Sequence, residues 1–162
     1  MNLSERATKI KGIFYTHCKV IIDVPPPFDV YPSERHPENG TITEEEIKFI
    51  DGSLLNFFEE IKDESIGRYS YEYIRPDTGF FFHYENEGIE NGIRKPLHHL
   101  HVGIMKEHAD TVLLENIPKE LIEHKGPHFM AKINFHEFMG IIVANFFADE
   151  ENCEEMLNNL GL

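Results

Sequence analysis

RYSYEYIRPDTGFFFHYEN, residues 68–86, decides how the chain folds. Tyrosine returns at every second position in its first half. An extended strand therefore puts Tyr69, Tyr71 and Tyr73 on one face and Arg68, Ser70 and Glu72 on the other. Pro76-Asp77-Thr78-Gly79 follows, with the fixed φ of proline and the freedom of glycine that a tight turn uses. Alternation then resumes, with Phe80, Phe82 and Tyr84 pointing one way and Phe81, His83 and Glu85 the other. Two alternating runs around a short turn read as a β-hairpin.

The same pattern extends in both directions. Upstream, EEIKFIDGSLLNFFEEI (45–61) reads as two more strands around the turn signal Asp51-Gly52. PPPFDVYPSERHPENG (25–40) carries five prolines in sixteen residues, and this reads as an irregular extended loop. Residues 3–23 suit a helix leading into a strand at VIID (20–23). Downstream, residues 87–95 form a polar loop, and PLHHLHVG (96–103) opens another strand. There His99 and His101 share a face with Gly103, and His98, Leu100 and Val102 lie opposite. Residues 109–131 are mixed, with a short helix expected near PKELIEH (118–124). Asn134 is placed to cap a helix over FHEFMGIIVANFF (135–147), apolar nearly all round and so buried against the sheet. ADEENCEEMLNNLGL (148–162) reads as a second, amphipathic helix.

Strands first and helices after predict an α+β fold: an antiparallel β-sheet with helices packed on one face. At 162 residues one domain is expected. Its parts are an N-terminal segment and proline-rich loop (1–41), the core sheet (42–108) and a mostly helical remainder (109–162).

With 29 acidic and 15 basic residues the formal charge is −14. Such a surface repels phosphate backbones at long range and disfavours extended non-specific nucleic-acid binding, while attracting a basic partner. Cys18 and Cys153 lie far apart and form no CxxC unit, as expected of free thiols in a reducing compartment. There is no signal-peptide core and no apolar run long enough for a bilayer, so a cytoplasmic protein is expected, with no membrane association.

Three chemistries compete for the histidine strand. As metal ligands, His99 and His101 could share an ion such as zinc, with His83, Glu85 or Glu59 as the third donor; His98 would need a bulge to join them. No CxxC or HExxH signature supports a closed structural site. As acid–base groups, the same imidazoles need no metal, only a neighbouring His, Tyr or carboxylate. Transfer of a phosphodiester to an RNA 2′-hydroxyl needs a base, an acid and a cation, which Arg68, His83, Glu85 and the histidine strand supply if their faces coincide. The third reading is that the histidines are polar residues satisfied within the sheet. Tyr69, Tyr71 and Tyr73 could stack bases, but they read better as a packing face. Ser53 lacks the GxSxG elbow and there is no phosphate-cradling glycine loop.

Taken together, GSLLNFFEE, RYSYEY, FHYEN and HHLHV, in this order with short spacers, resemble the TumE-like toxins of prokaryotic toxin–antitoxin systems. The matching positions are Gly52, Leu55, Phe57 and Glu59; then Tyr69, Tyr71 and Tyr73; then Phe82, Tyr84 and Asn86; and last His98, His99, His101 and Val102. His83 stands where the family has Arg, Glu85 where it has Asp and Leu100 where it has Lys. Leu97 replaces the proline directly before the histidines, with Pro96 one position earlier. The resemblance implies a toxin neutralised by a cognate antitoxin and acting on RNA, with a homodimer also allowed. Within it, His99 and His101 are expected as an acid–base pair, with Glu59 or Glu85 orienting an imidazole and Arg68 meeting a phosphate. Tyr71, His83, His98, Tyr84 and Asn86 are further candidates. No cofactor is expected on this reading. The alternatives are a non-catalytic protein that binds a basic partner, or a zinc-type metal protein using His99, His101 and His83.

Overall fold

The computed structural model describes residues 1–24, 26–90, 92–105, 108 and 128–148. Helix α1 spans Leu3–Thr16, and helix α2 spans Phe135–Phe146. The strands are β1 (Asp29–Pro32), β2 (Gly40–Lys48), β3 (Leu54–Lys62), β4 (Ser65–Arg75), β5 (Phe80–Glu85), β6 (Ile89–Glu90), β7 (Ile93–Arg94), β8 (His99–Ile104) and β9 (Phe129–Met130). β1-β2-β3-β4-β5-β8-β9 form one antiparallel sheet in that order, and β6 and β7 pair separately. This is the α+β architecture expected.

The β4–β5 hairpin turns at the expected residues, where the amides of Thr78 and Gly79 donate to the Arg75 carbonyl. Gly79 sits at φ +70°, and a Cβ there would lie 2.5 Å from the His108 side chain, so both conformation and space call for glycine. Alternation then sorts the sheet. Leu55, Phe57, Tyr69, Tyr71, Tyr73 and Phe82 are buried on the face that both helices cover. Phe135 packs its ring on Phe57 and Tyr71, Phe138 packs on Tyr71 and Phe82, and Phe14 of α1 meets Phe135. The tyrosine triplet is thus a packing face in the core, not an open platform for bases.

Both helices begin with the same device. Asn2 and Asn134 each accept the amide of the residue three ahead, Glu5 and Glu137, whose carboxylates return to the cap amide. Each capping box satisfies two otherwise orphaned amides.

The structure differs from expectation at several places. VIID forms no strand; Ile21 makes an isolated bridge to Phe49. The proline-rich stretch contributes β1, an exposed edge strand whose last residue is Pro32, a position where a missing amide costs no ladder bond. The 87–95 loop contains the small β6–β7 hairpin, and β9 pairs His99 and Leu100 with Met130 and Phe129. The helices expected near 118–124 and over 148–162 fall, apart from Ala148, outside the described residues.

Candidate functional site

The site lies on the face of the sheet opposite α1 and α2. β5 and β8 pair so that Glu85 faces His99 and His83 faces His101. β4 continues both rows, with Ser70 opposite Glu85 and Glu72 opposite His83. Four chemically active side chains thus share one face through strand alternation and register alone.

Glu85 is the hub. Its Oε1 accepts from His99 Nε2 at 3.0 Å and from His101 Nε2 at 2.9 Å, with Lys95 Nζ 3.9 Å away. Its other oxygen lies 3.9 Å from His83 Nε2, and that nitrogen is 2.7 Å from Ser70 Oγ. Burial alone would push the Glu85 carboxyl up. The hydrogen bond from His101 and the charges of His83, His101 and His99 outweigh it and hold the pKa down to about 2. Glu85 is therefore an acceptor throughout the physiological range.

His99 is fully enclosed and uses both ring nitrogens. Its Nδ1 donates to the Pro96 carbonyl at 2.7 Å, since a carbonyl only accepts, and this fixes the ring. His101 is 3% exposed, and its ring stands 4.7 Å from that of His99 and 5.5 Å from that of His83. Lys95, at the end of the polar loop, is buried; burial lowers its pKa while Glu85 and Glu87 work against that fall.

His128 completes the cluster. Its ring lies 4.3 Å from His101 and 5.3 Å from His99. Burial first, and then the neighbouring His101, Lys95 and His99, push its pKa down to about 4, leaving a neutral imidazole at neutral pH. Two sets of possible metal donors are present, His99, His101 and His128, and His83, Glu85 and His101, the donor atoms within each set lying within 4.8 Å of one another. The trio His99, His101 and His83 is thus divided between them.

The other sequence candidates lie elsewhere. Glu59 does not orient an imidazole. It is buried on the helix-facing side, where Arg6 Nε donates to it at 2.6 Å and Arg6 Nη2 and the Tyr71 hydroxyl donate to its Oε1. Alternation with Leu55 and Phe57 puts it there. Burial, then Glu59, raises the Tyr71 pKa and keeps this phenol a donor. Arg68 is 62% exposed, paired with Glu60 at 3.4 Å and lying over the Phe58 ring. His98 turns to the helix-facing side, stacked on Tyr69 with Nδ1 3.1 Å from its hydroxyl. Tyr84 packs edge-on against Phe138. Asn86 ties β4 to the end of β5, accepting from the Tyr69 amide at 2.8 Å and donating to the Gly67 carbonyl at 2.7 Å.

Sequence reading missed Lys95, His128 and Arg6. Lys95 carried one signal, its place directly before Pro96 and the histidines. His128 and Arg6 lie in segments without a motif.

The family model described as Toxin TumE matches residues 23–125, from the proline-rich stretch through the histidine strand. The chain belongs to the TumE toxin family. Membership implies a toxin of a toxin–antitoxin system and hence an antitoxin partner. Glu85, His83, Lys95, His99 and His101 lie inside the matched span, whereas Arg6 and His128 lie outside it. No curated protein and no solved structure matches significantly. Among the described residues no helix is long and apolar enough to cross a membrane.

Proposed function

We propose that this TumE-family chain is a cytoplasmic toxin that acts on RNA by metal-independent acid–base chemistry at the Glu85 cluster. One observation carries the reading: a single carboxylate oxygen accepts from two buried imidazoles, with a buried lysine beside it. Ordered imidazoles around a fixed anion are what proton transfer needs.

The geometry refines the roles. His99 spends both nitrogens inside the protein, so it is a positioning residue that holds Glu85. His101 and His83, stacked face to face, are the pair that would handle protons at a substrate. One would take the proton of an RNA 2′-hydroxyl as its oxygen attacks phosphorus. The other would protonate the departing 5′-oxygen, leaving a 2′,3′-cyclic phosphate. Lys95, rather than Arg68, is the cation beside the pair.

His83 replaces the Arg of the family pattern at the site itself, which supports a proton-handling role where relatives hold a fixed charge. Leu100 replaces the family Lys on the other face, packed against the core, so that departure removes nothing from the Glu85 cluster.

The test is cleavage of a single-stranded RNA by the purified full-length chain with excess EDTA. The expected result is cyclic-phosphate ends that disappear in His101→Ala and in His83→Ala. Intact RNA with wild type, or cleavage that both variants retain, contradicts the reading.

A further inference from the structure

We propose that His99, His101 and His128 form a binding site for zinc or a similar first-row divalent ion, with Glu85 as fourth donor. The site goes beyond the family match, which ends before His128.

Three observations point to it. First, His128 is half-buried, and its Nε2 is shut away from solvent without a hydrogen-bond partner. A buried imidazole nitrogen left unpaired costs free energy, and a bound cation removes that cost. Second, the donor atoms of His99, His101 and His128 all lie within 4.8 Å of one another. Imidazole nitrogens about 2.0–2.1 Å from zinc stand roughly 3.3 Å apart in a tetrahedron, so small side-chain adjustments close the site. The spacings of 3.0 and 2.9 Å from Glu85 Oε1 to His99 and His101 are already of that order. Third, His99 Nδ1 donates to the Pro96 carbonyl and so aims Nε2 into the cluster. This is the outer-shell hydrogen bond that commonly fixes the tautomer and orientation of a metal-ligating histidine.

Three imidazoles are borderline donors, and with only one hard carboxylate among them the set suits zinc better than magnesium or calcium. The ion would displace the protons that His99 and His101 direct at Glu85. It would also occupy the lone pairs of His101, so the loaded toxin would be silent. That consequence rests on the acid–base reading; the binding site itself rests on geometry alone.

The test is isothermal titration of the tag-free, metal-stripped full chain with zinc chloride in a non-chelating buffer. Wild type, His128→Asn and His83→Asn are compared after circular dichroism shows all three folded. The expected result is one zinc per chain, with affinity lowered at least about 100-fold in His128→Asn, beyond what loss of an outer-shell partner usually costs. His83→Asn should bind as wild type does. No stoichiometric binding by wild type overturns the proposal. So does equal affinity in His128→Asn, or a loss confined to His83→Asn, which would place the ion on His83, Glu85 and His101. Zinc binding by a chain that leaves RNA intact even when metal-free would leave this site standing and overturn the acid–base function instead.

Discussion

Glu85 and His99 face each other across β5 and β8, and Glu85 Oε1 accepts from His99 Nε2 at 3.0 Å. His101, two residues further along β8, reaches the same oxygen. A one-residue slip of β8 would send both imidazoles to the helix-covered face. The hydrophobic alternation that buries Leu100 and Val102 against the core is therefore what holds the polar cluster together. Packing on one side of the sheet sets the chemistry on the other.

The buried Arg6–Glu59–Tyr71 group is expected to act on stability alone. Arg6→Met strands the Glu59 carboxylate in the core and should cost about 3–5 kcal/mol in urea denaturation. Adding Glu59→Leu to that variant should restore part of the loss, because an apolar pair then replaces the stranded charge, while the Tyr71 hydroxyl left without its acceptor keeps a remaining cost of about 1–3 kcal/mol. RNA cleavage per folded molecule should not change in the double variant. A double variant no more stable than Arg6→Met would contradict the assignment.

Stability should fall on mild acidification through His17. This residue follows the last turn of α1, is 3% exposed, and has neither ring nitrogen in a hydrogen bond. Burial, with a smaller push from His136, lowers its pKa to about 4. The folded pKa lies below the unfolded value, so between those values the unfolded chain binds more protons. Stability from this group is complete above pH about 6.5 and declines as pH falls toward about 4. From pH 7 to pH 5 the loss should be roughly 2 kcal/mol. Denaturation of wild type and His17→Leu at both pH values checks it; an equal pH dependence in the two proteins would rule His17 out.

Much of the sheet was legible because local signals agreed: strict alternation in 68–74, a proline–glycine turn at 76–79, and an asparagine cap at 134. The facing of His99 and His101 followed from the same period of two. Pairing across elements was not legible. Glu59 looked like a partner for an imidazole until register placed it opposite Tyr69, on the helix-facing side, where Arg6 waits 53 residues away in sequence. His128 sits beside a two-residue strand with no periodicity of its own, so only the tertiary fold brings it to His101. The hub role of Glu85 likewise depends on β5 lying between β4 and β8.

The central claim is that the Glu85–His101 cluster carries the toxin's action. It is tested most directly by growth rate on expressing the chain without its antitoxin, comparing wild type with His101→Ala and Glu85→Gln at matched soluble abundance. Wild type should slow growth, and both variants should restore it. Wild-type slowing that persists undiminished in both variants would contradict the account.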